Sequence, residues 1–344
     1  MRWAVVIGAF LASLALVGLL RQMALRAGML DVPNARSSHA SPTPRGGGLA
    51  IVIVTMVAAA AEAILARGAM VDSLVWLVGG GLVALAGFLD DLHGLSAIKR
   101  LGFHFSAAAL LLLANGGLPA LPWPGGAIEL GIFGWIIGAV AIVWSINLFN
   151  FMDGIDGLAA AQAIFVVGSF AWLQGSDAGG GASLPLLALA GAATGFLVWN
   201  FPPARIFMGD VGSGFVGFAL AAGALLTARH APTTLWTWLV LNGVFVADAT
   251  VTLVVRLVRG QRIYEAHREH LYQRLSRRWQ SHRTVTLTAI AVNLLWCLPW
   301  AVATVRVPDL GAAFAAAALG PLFMVVAMFA REALHSRVCE QNLK

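Results

Sequence analysis

The chain has 344 residues, of which 59% are hydrophobic and 11% charged, with a mean hydropathy of +0.83. Apolar runs of about 18 residues or more recur along its whole length, which excludes a soluble domain and indicates a polytopic membrane protein. The net charge of +6 does not point to nucleic acid, because the arginines sit in short loops between apolar runs, where they set membrane orientation.

In chain order the apolar runs predict an all-α fold of about eleven transmembrane helices. They fall near 3–20, 48–66, 71–89, 103–115, 131–148, 158–174, 184–199, 213–229, 234–255, 284–305 and 311–330. The first run resembles a signal peptide, but Arg21 and Arg26 flank it without a small-residue cleavage pattern, so a retained helix is expected. One catalytic domain over 1–344 is expected, with 256–283 as a His/Arg-rich loop that has room only for a short helix or hairpin. Cys297 in a span and Cys339 in the tail indicate neither a disulfide nor a metal site.

The cations give the orientation. One set of loops holds Arg21, Arg26, Arg36, Arg45, Lys99, Arg100, Arg205, eight arginines between 256 and 283, Arg331, Arg337 and Lys344. The other holds only Arg2, Arg67, Arg229 and Arg306. The first set is therefore expected to be cytoplasmic, with the N-terminus external and the C-terminus cytoplasmic.

Five polar clusters fall on that same face, and carboxylates gathered at one interface point to an enzyme that meets a water-soluble substrate there. Arg36-Ser-Ser-His39 leads to Arg45-Gly46-Gly47-Gly48, where the glycines read either as an anion nest or as flexible entry into a close-packed span. Asp90-Asp91 end the third span, with Lys99 following. Adjacent carboxylates repel, which suits a proton acceptor or a cation site, the plainer alternative being a solvated helix end. Asn147, Asn150, Asp153 and Asp156 recur three apart and share a helical face. Capping of the next span would need only one of them. Asn200 precedes Pro202-Pro203, and Asp210 then stands in a glycine-flanked turn at a helix start, a position suited to holding Mg²⁺ while free amides hold phosphate oxygens. His267, Arg268 and His270 combine forked and single donors suited to a diphosphate, whereas Arg274, Arg277 and Arg278 read as an anchor to anionic lipid. Glu62 and Asp248 lie within spans. For Asp248 a buried hydrogen bond to a neighbouring helix competes with a proton path.

These stretches resemble the polyprenyl-phosphate N-acetylhexosamine-1-phosphate transferases (glycosyltransferase family 4). The matching residues are Asp90-Asp91 with Gly94-Leu95-Ser96 and Lys99, Asn147 to Gly157, Pro203 to Ser213 and the His267 loop, in the family's order and over nearly the whole chain. The peptidoglycan branch typically has three consecutive histidines in the late loop. His267-Arg268-Glu269-His270 looks instead like the branch that initiates O-antigen and other surface glycans.

The resemblance implies that undecaprenyl phosphate attacks the β-phosphorus of a UDP-N-acetylhexosamine (GlcNAc, or a relative such as FucNAc or QuiNAc) and releases UMP, in a bacterial inner membrane. It implies Mg²⁺, with Mn²⁺ as a substitute, on Asp210 and Asn150. Catalytic roles fall to Asp90, Asp91, Asp210 and Lys99. Substrate contacts fall to Asn147, Asp153, Asp156, Asn200, His267, Arg268, His270, Arg36 and His39. The expected partners are the sugar nucleotide, the polyprenyl phosphate and membrane lipid; nucleic acid is not expected, and assembly is left open, a homodimer included. The competing readings are a transporter or flippase, which would place its ionisable groups near the midplane, and a lipid-phosphate binder without turnover.

Overall fold

The computed structural model describes residues 2–31, 42–66, 69–175, 183–262 and 267–342, with side chains to 331. Apart from two short two-stranded ribbons (β1 Leu30–Asp31 with β2 Thr43–Pro44, and β3 Leu121–Trp123 with β4 Gly126–Ile128), the regular structure is helical. The helices are α1 (Arg2–Ala27), α2 (Leu49–Leu65), α3 (Met70–His93), α4 (Ala97–Asn115), α5 (Ile132–Met152), α6 (Leu158–Leu173), α7 (Leu184–Asn200) and α8 (Asp210–Ala228). They continue with α9 (Thr234–Leu241), α10 (Gly243–Val258), α11 (Leu271–Trp279), α12 (His282–Arg306) and α13 (Gly311–Asn342). Among the described residues, seven helices are long and apolar enough to cross a membrane, an eighth candidate is the bent pair α9–α10, and α2, α6 and α7 are apolar but shorter. This is an all-α, multi-pass membrane protein.

The run at 234–255 is not one straight span. α9 and α10 meet at 71° around Asn242. The break frees the Leu241 carbonyl, which accepts a hydrogen bond from Gln162 Nε2 at 2.9 Å, and Asn293 Nδ2 holds Gln162 at 2.6 Å. A backbone break in an apolar interior persists only when its freed groups find such partners. The fourth span also starts earlier than its hydropathy indicates, at Ala97, so that Lys99, Arg100 and His104 are helical residues.

The core centres on α8, which is packed between α3 and α5 and is the most enclosed of the long helices. Small residues let these backbones touch, as packing between membrane helices requires. At Gly217 a Cβ would stand 2.4 Å from the Ser145 carbonyl oxygen, and Ser145 Oγ donates to the Gly217 carbonyl at 2.7 Å. Gly191 and Gly195 seat α7 against α1 in the same manner, since a Cβ on either would collide with an α1 carbonyl oxygen, that of Val6 or Phe10. At the end of α8 remote from the polar clusters, Arg229 donates to Asp72 (2.9 Å), Asn115 (3.1 Å) and the Ala114 carbonyl (3.0 Å), which ties together the far ends of α3, α4 and α8.

Candidate active site

Asp91 lies in the last turn of α3 and reaches the first turn of α8, whose leading amides have no partner within their own helix. Its carboxylate accepts the N–H of Asp210 at 3.0 Å and of Val211 at 3.1 Å. One turn earlier, a Cβ on Gly87 would stand 2.3 Å from the Asp210 carbonyl oxygen, so only glycine permits this crossing. Gly209, at φ +79, makes the turn before Asp210. Together these features hold the Asp210 carboxylate at a helix N-terminus, where the helix dipole favours negative charge.

Two arginines lie against the acids. Arg45 Nη2 is 2.7 Å from Asp91 Oδ1 and 2.8 Å from Asp210 Oδ1. Arg100 Nη1 is 2.7 Å from Asp90 Oδ2 and 4.0 Å from Asp210 Oδ2. Asp90 also accepts the Leu95 N–H. Arg45 is placed by the glycines that follow it: Gly47 and Gly48 donate to the Phe207 and Met208 carbonyls, both at 2.9 Å. A Cβ on Gly48 would stand 2.5 Å from Gly212 Cα. The triple glycine is therefore close packing, not an anion nest, since its second and third N–H groups are committed.

Beneath the acids a cavity of about 20 Å³ is lined by Asp90, Arg100, His104, Asn147, Asn150 and Asp210. Asn150 gives its amide N–H to Ser213 Oγ at 3.1 Å, and Asn147 gives its own to the Val143 carbonyl at 2.7 Å. Among the described residues no group of three or more His, Cys, Asp or Glu side chains forms a metal cage. One carboxylate, Asp210, and one amide oxygen, Asn150, are instead the donor set of a hard cation that takes one or two protein ligands and completes its shell with waters and substrate phosphates, as Mg²⁺ does, those further ligands lying outside a space this small. Asp153 follows at the end of α5; its N–H donates to the Asn150 carbonyl, and its carboxylate has no hydrogen-bond or ion-pair partner among the described residues. Burial, reinforced by the charge of Asp210, raises its pKa well above the usual carboxylate value.

Asp156 and Asn200 are committed elsewhere. Asn200, 3% exposed, accepts the Gly157 N–H at 2.8 Å and donates to the Ile206 carbonyl at 2.9 Å. Asp156 accepts the Ala204 N–H at 2.9 Å and lies 3.2 Å from His282 Nδ1. They clamp the turn after α5 to the loop before α8, and neither Asp153 nor Asp156 caps α6.

The basic loop is anchored by Asp248 of α10. Its buried carboxylate accepts the N–H of Leu271 at 2.8 Å and of Tyr272 at 3.0 Å, as well as the Thr252 hydroxyl at 3.2 Å. Asp248 is thus the cap of α11, which supplies the hydrogen-bonding explanation over the proton path. Tyr272 in turn donates from its hydroxyl to the Phe151 carbonyl at 2.7 Å, and a Cβ on Gly154 would collide with it. His270, 2% exposed, is stacked against Phe151 and Tyr272, with its Nδ1 3.4 Å from the Asp248 carboxylate. His267 is half-buried, and burial, aided by His270 and Arg256, lowers its pKa to about 4, so it is neutral at physiological pH. Arg268 is partly exposed. Lys99 is exposed, and Arg100 is the cation of that turn that faces the acids. Arg36 and His39 lie outside the described residues. Arg45 and Ser213 join the site from within the polar clusters, although the motifs assign neither a role, and Arg100 and His104 join it from outside them. The available signal is spacing: Arg100 and His104 are four apart on one helical face.

These features define a membrane-embedded acidic site, flanked by arginines and set at helix ends. The chain belongs to glycosyl transferase family 4, which matches residues 73–228 and so includes Asp90-Asp91, Asn147 to Asp156 and Asn200 to Ser213. It is 29% identical to the probable undecaprenyl-phosphate N-acetylglucosaminyl 1-phosphate transferase of Bacillus subtilis, over 85% of this chain and 83% of that one. It is 33% identical to the decaprenyl-phosphate N-acetylglucosaminephosphotransferase of Mycolicibacterium smegmatis, over 78% and 74%. To the phospho-N-acetylmuramoyl-pentapeptide-transferase of a Synechococcus species it is 36% identical, over 68% and 67%.

Proposed function

We propose that this chain transfers N-acetylhexosamine-1-phosphate from a UDP-sugar, UDP-GlcNAc or a close relative, to undecaprenyl phosphate. The step would be the first membrane reaction of O-antigen or another surface glycan in a bacterial inner membrane. The observation that carries this reading is the juxtaposition of Asp210 and Asn150 with Arg45 and Arg100 at one end of the bundle, where Asp153 also lies within electrostatic reach of Asp210 and Arg45. Two anionic substrates need such a mixture, since phosphoryl transfer depends mainly on positioning and on neutralising charge. The names of the Bacillus and Mycolicibacterium relatives support the N-acetylglucosamine branch, as does the His-Arg-Glu-His loop. In this reading α2, α6 and α7 also cross, which gives eleven spans with the N-terminus external and the site cytoplasmic.

An oxygen of the lipid phosphate forms a bond to the β-phosphorus of the sugar nucleotide while the bond to the UMP oxygen breaks, and UMP departs with that electron pair. A phosphate monoester with a second pKa of about 6 is already largely ionised, so no base is required. Asp90 anchors Arg100, and Asp91 anchors the α8 terminus that presents Asp210. Arg45 and Arg100 retain N–H groups beyond those the acids use, and these groups orient phosphate oxygens. Mg²⁺, with Mn²⁺ as substitute, would be held by Asp210 and Asn150 and would supply neutralisation of the diphosphate charge. Arg268 and His267, as a neutral donor, would meet the nucleotide half.

The test is UMP release by purified protein given undecaprenyl phosphate, Mg²⁺ and a panel of UDP-N-acetylhexosamines. Lipid-dependent, EDTA-sensitive UMP from one of them is expected. Release only from UDP-MurNAc-pentapeptide would overturn the branch, and none from any donor, in folded protein, would overturn the reaction.

A further inference from the structure

His104 belongs to none of the sequence clusters, yet its side chain lines the cavity beside Arg100 and Asp210. It is 8% exposed, inside a helix of otherwise lipid-compatible composition. Its Nδ1 lies 3.4 Å from Asn147 Nδ2, while the same amide nitrogen donates to the Val143 carbonyl at 2.7 Å. An amide nitrogen only donates, so Nδ1 is the acceptor, and a neutral imidazole then carries its proton on Nε2. Nε2 has no partner among the described residues. The acidic oxygens nearby are already engaged: Asp90 takes Arg100 and the Leu95 N–H, and Asp210 takes Arg45.

His104 lines the cavity, so its Nε2–H is a donor available to an acceptor atom placed there. The space restricts what that acceptor can be. About 20 Å³ admits one water-sized group, hence a single oxygen atom and not a sugar or a base. Depth restricts it further, because His104 is one turn, about 6 Å, further into the apolar bundle than Arg100. Val83 and Ile146 form the walls at that level. A water-soluble nucleotide sugar meets the loop side of the acids, whereas an oxygen arriving from the bilayer side comes from the lipid substrate.

We infer that Arg100 and His104 form the seat for one non-bridging oxygen of the acceptor lipid's phosphate monoester, Arg100 by charge and His104 through its Nε2–H. This rests on the transfer reaction proposed above and assigns to it a substrate-binding residue and the side from which the acceptor enters.

The experiment compares wild type with His104→Leu and His104→Gln, each checked for an unchanged melting temperature in detergent. His104→Phe replaces the Leu variant if that one melts early. Loss of a hydrogen bond to a charged oxygen is expected to raise the KM for undecaprenyl phosphate about tenfold or more. The KM for the sugar nucleotide stays unchanged, and the Gln variant, which keeps an N–H donor, recovers to within about threefold of wild type. Equilibrium binding of undecaprenyl phosphate and of undecaprenol is measured in parallel. The Leu variant should lose affinity for the phosphate lipid only. A shift confined to the sugar nucleotide, equal losses for both lipids, or failure of Gln to rescue would overturn the seat. If wild type releases no UMP yet the Leu variant selectively loses the phosphate lipid, the seat stands and the transfer reading fails. If UMP is released and neither lipid affinity moves, the reverse holds.

Discussion

Replacing Asp248 by Asn removes a charge from the group that docks α11 and, through it, the basic loop. The carboxylate is 4% exposed and receives two backbone N–H groups at 2.8 and 3.0 Å and a hydroxyl at 3.2 Å. Asparagine offers one acceptor oxygen, and its amide nitrogen would face an N–H donor, so at least one helix-capping bond is lost and one buried donor orphaned. Hydrogen bonds to charged groups are worth about 1.5–3 kcal/mol each, which puts the local cost at about 2 kcal/mol or more. That is a factor of about 30 in the docking equilibrium of α11. The loop between 256 and 283 carries eight arginines, so trypsin reads its opening directly when reclosure is fast. Cleavage there is expected to accelerate about 30-fold, with faster hydrogen exchange at Leu271 and Tyr272 and a higher KM for the sugar nucleotide. Wild-type cleavage and exchange in a folded Asp248→Asn protein would refute the anchoring argument.

Three other outcomes are expected. Asp210→Asn should abolish UMP release while leaving expression and membrane insertion intact, and near-normal turnover would remove its proposed metal role. Gly154→Ala forces the Tyr272 hydroxyl away from Phe151 and should cost about 1–3 kcal/mol as overpacking, against about 1 kcal/mol for Tyr272→Phe. Because removing the hydroxyl relieves the collision, the double variant should melt above the sum of the two losses. The folded-state pKa of Asp153 is raised above its unfolded value, so its contribution is fully present below pH about 3.8 and is lost as pH rises through the raised value. Asp153→Asn should therefore raise the melting temperature at pH 7–8 while lowering activity. A melting temperature that is unchanged or lower at that pH would contradict the burial of an unpartnered charge.

Charge and spacing make the acids legible in the sequence. Asp210 in its glycine turn and Asn150 three residues from Asp153 do converge on one end of the bundle, because a chain this apolar has few other places to put them. Their division of labour is not legible there. Asp91, Asp156, Asn200 and Asp248 are each committed to backbone N–H groups of another segment, and such pairing depends on which helix ends meet, which no local pattern encodes. Lys99 and Arg100 are adjacent cations in sequence, and only the phase of α4 decides which one faces Asp90. The bend at Asn242 is hidden for a related reason: its compensating groups, Gln162 and Asn293, lie far along the chain.

The lengths of α6 and α7 bear on where the reaction would meet the bilayer. At 16 and 17 residues they extend about 24–26 Å, against a hydrocarbon core of about 30 Å. Most of their residues are enclosed by neighbouring helices, so lipid meets chiefly the longer helices and the shortfall is not relieved by thinning the bilayer around them. Crossing as in the proposed reading, α6 and α7 would fall about 4–6 Å short of that core, and the ends that carry Asp156 and Asn200 would lie below the rim of the longer helices. A lipid phosphate would then reach the acids by settling slightly inward with its tail still in the leaflet, and the transfer would not require the apolar tail to be lifted out of the hydrocarbon.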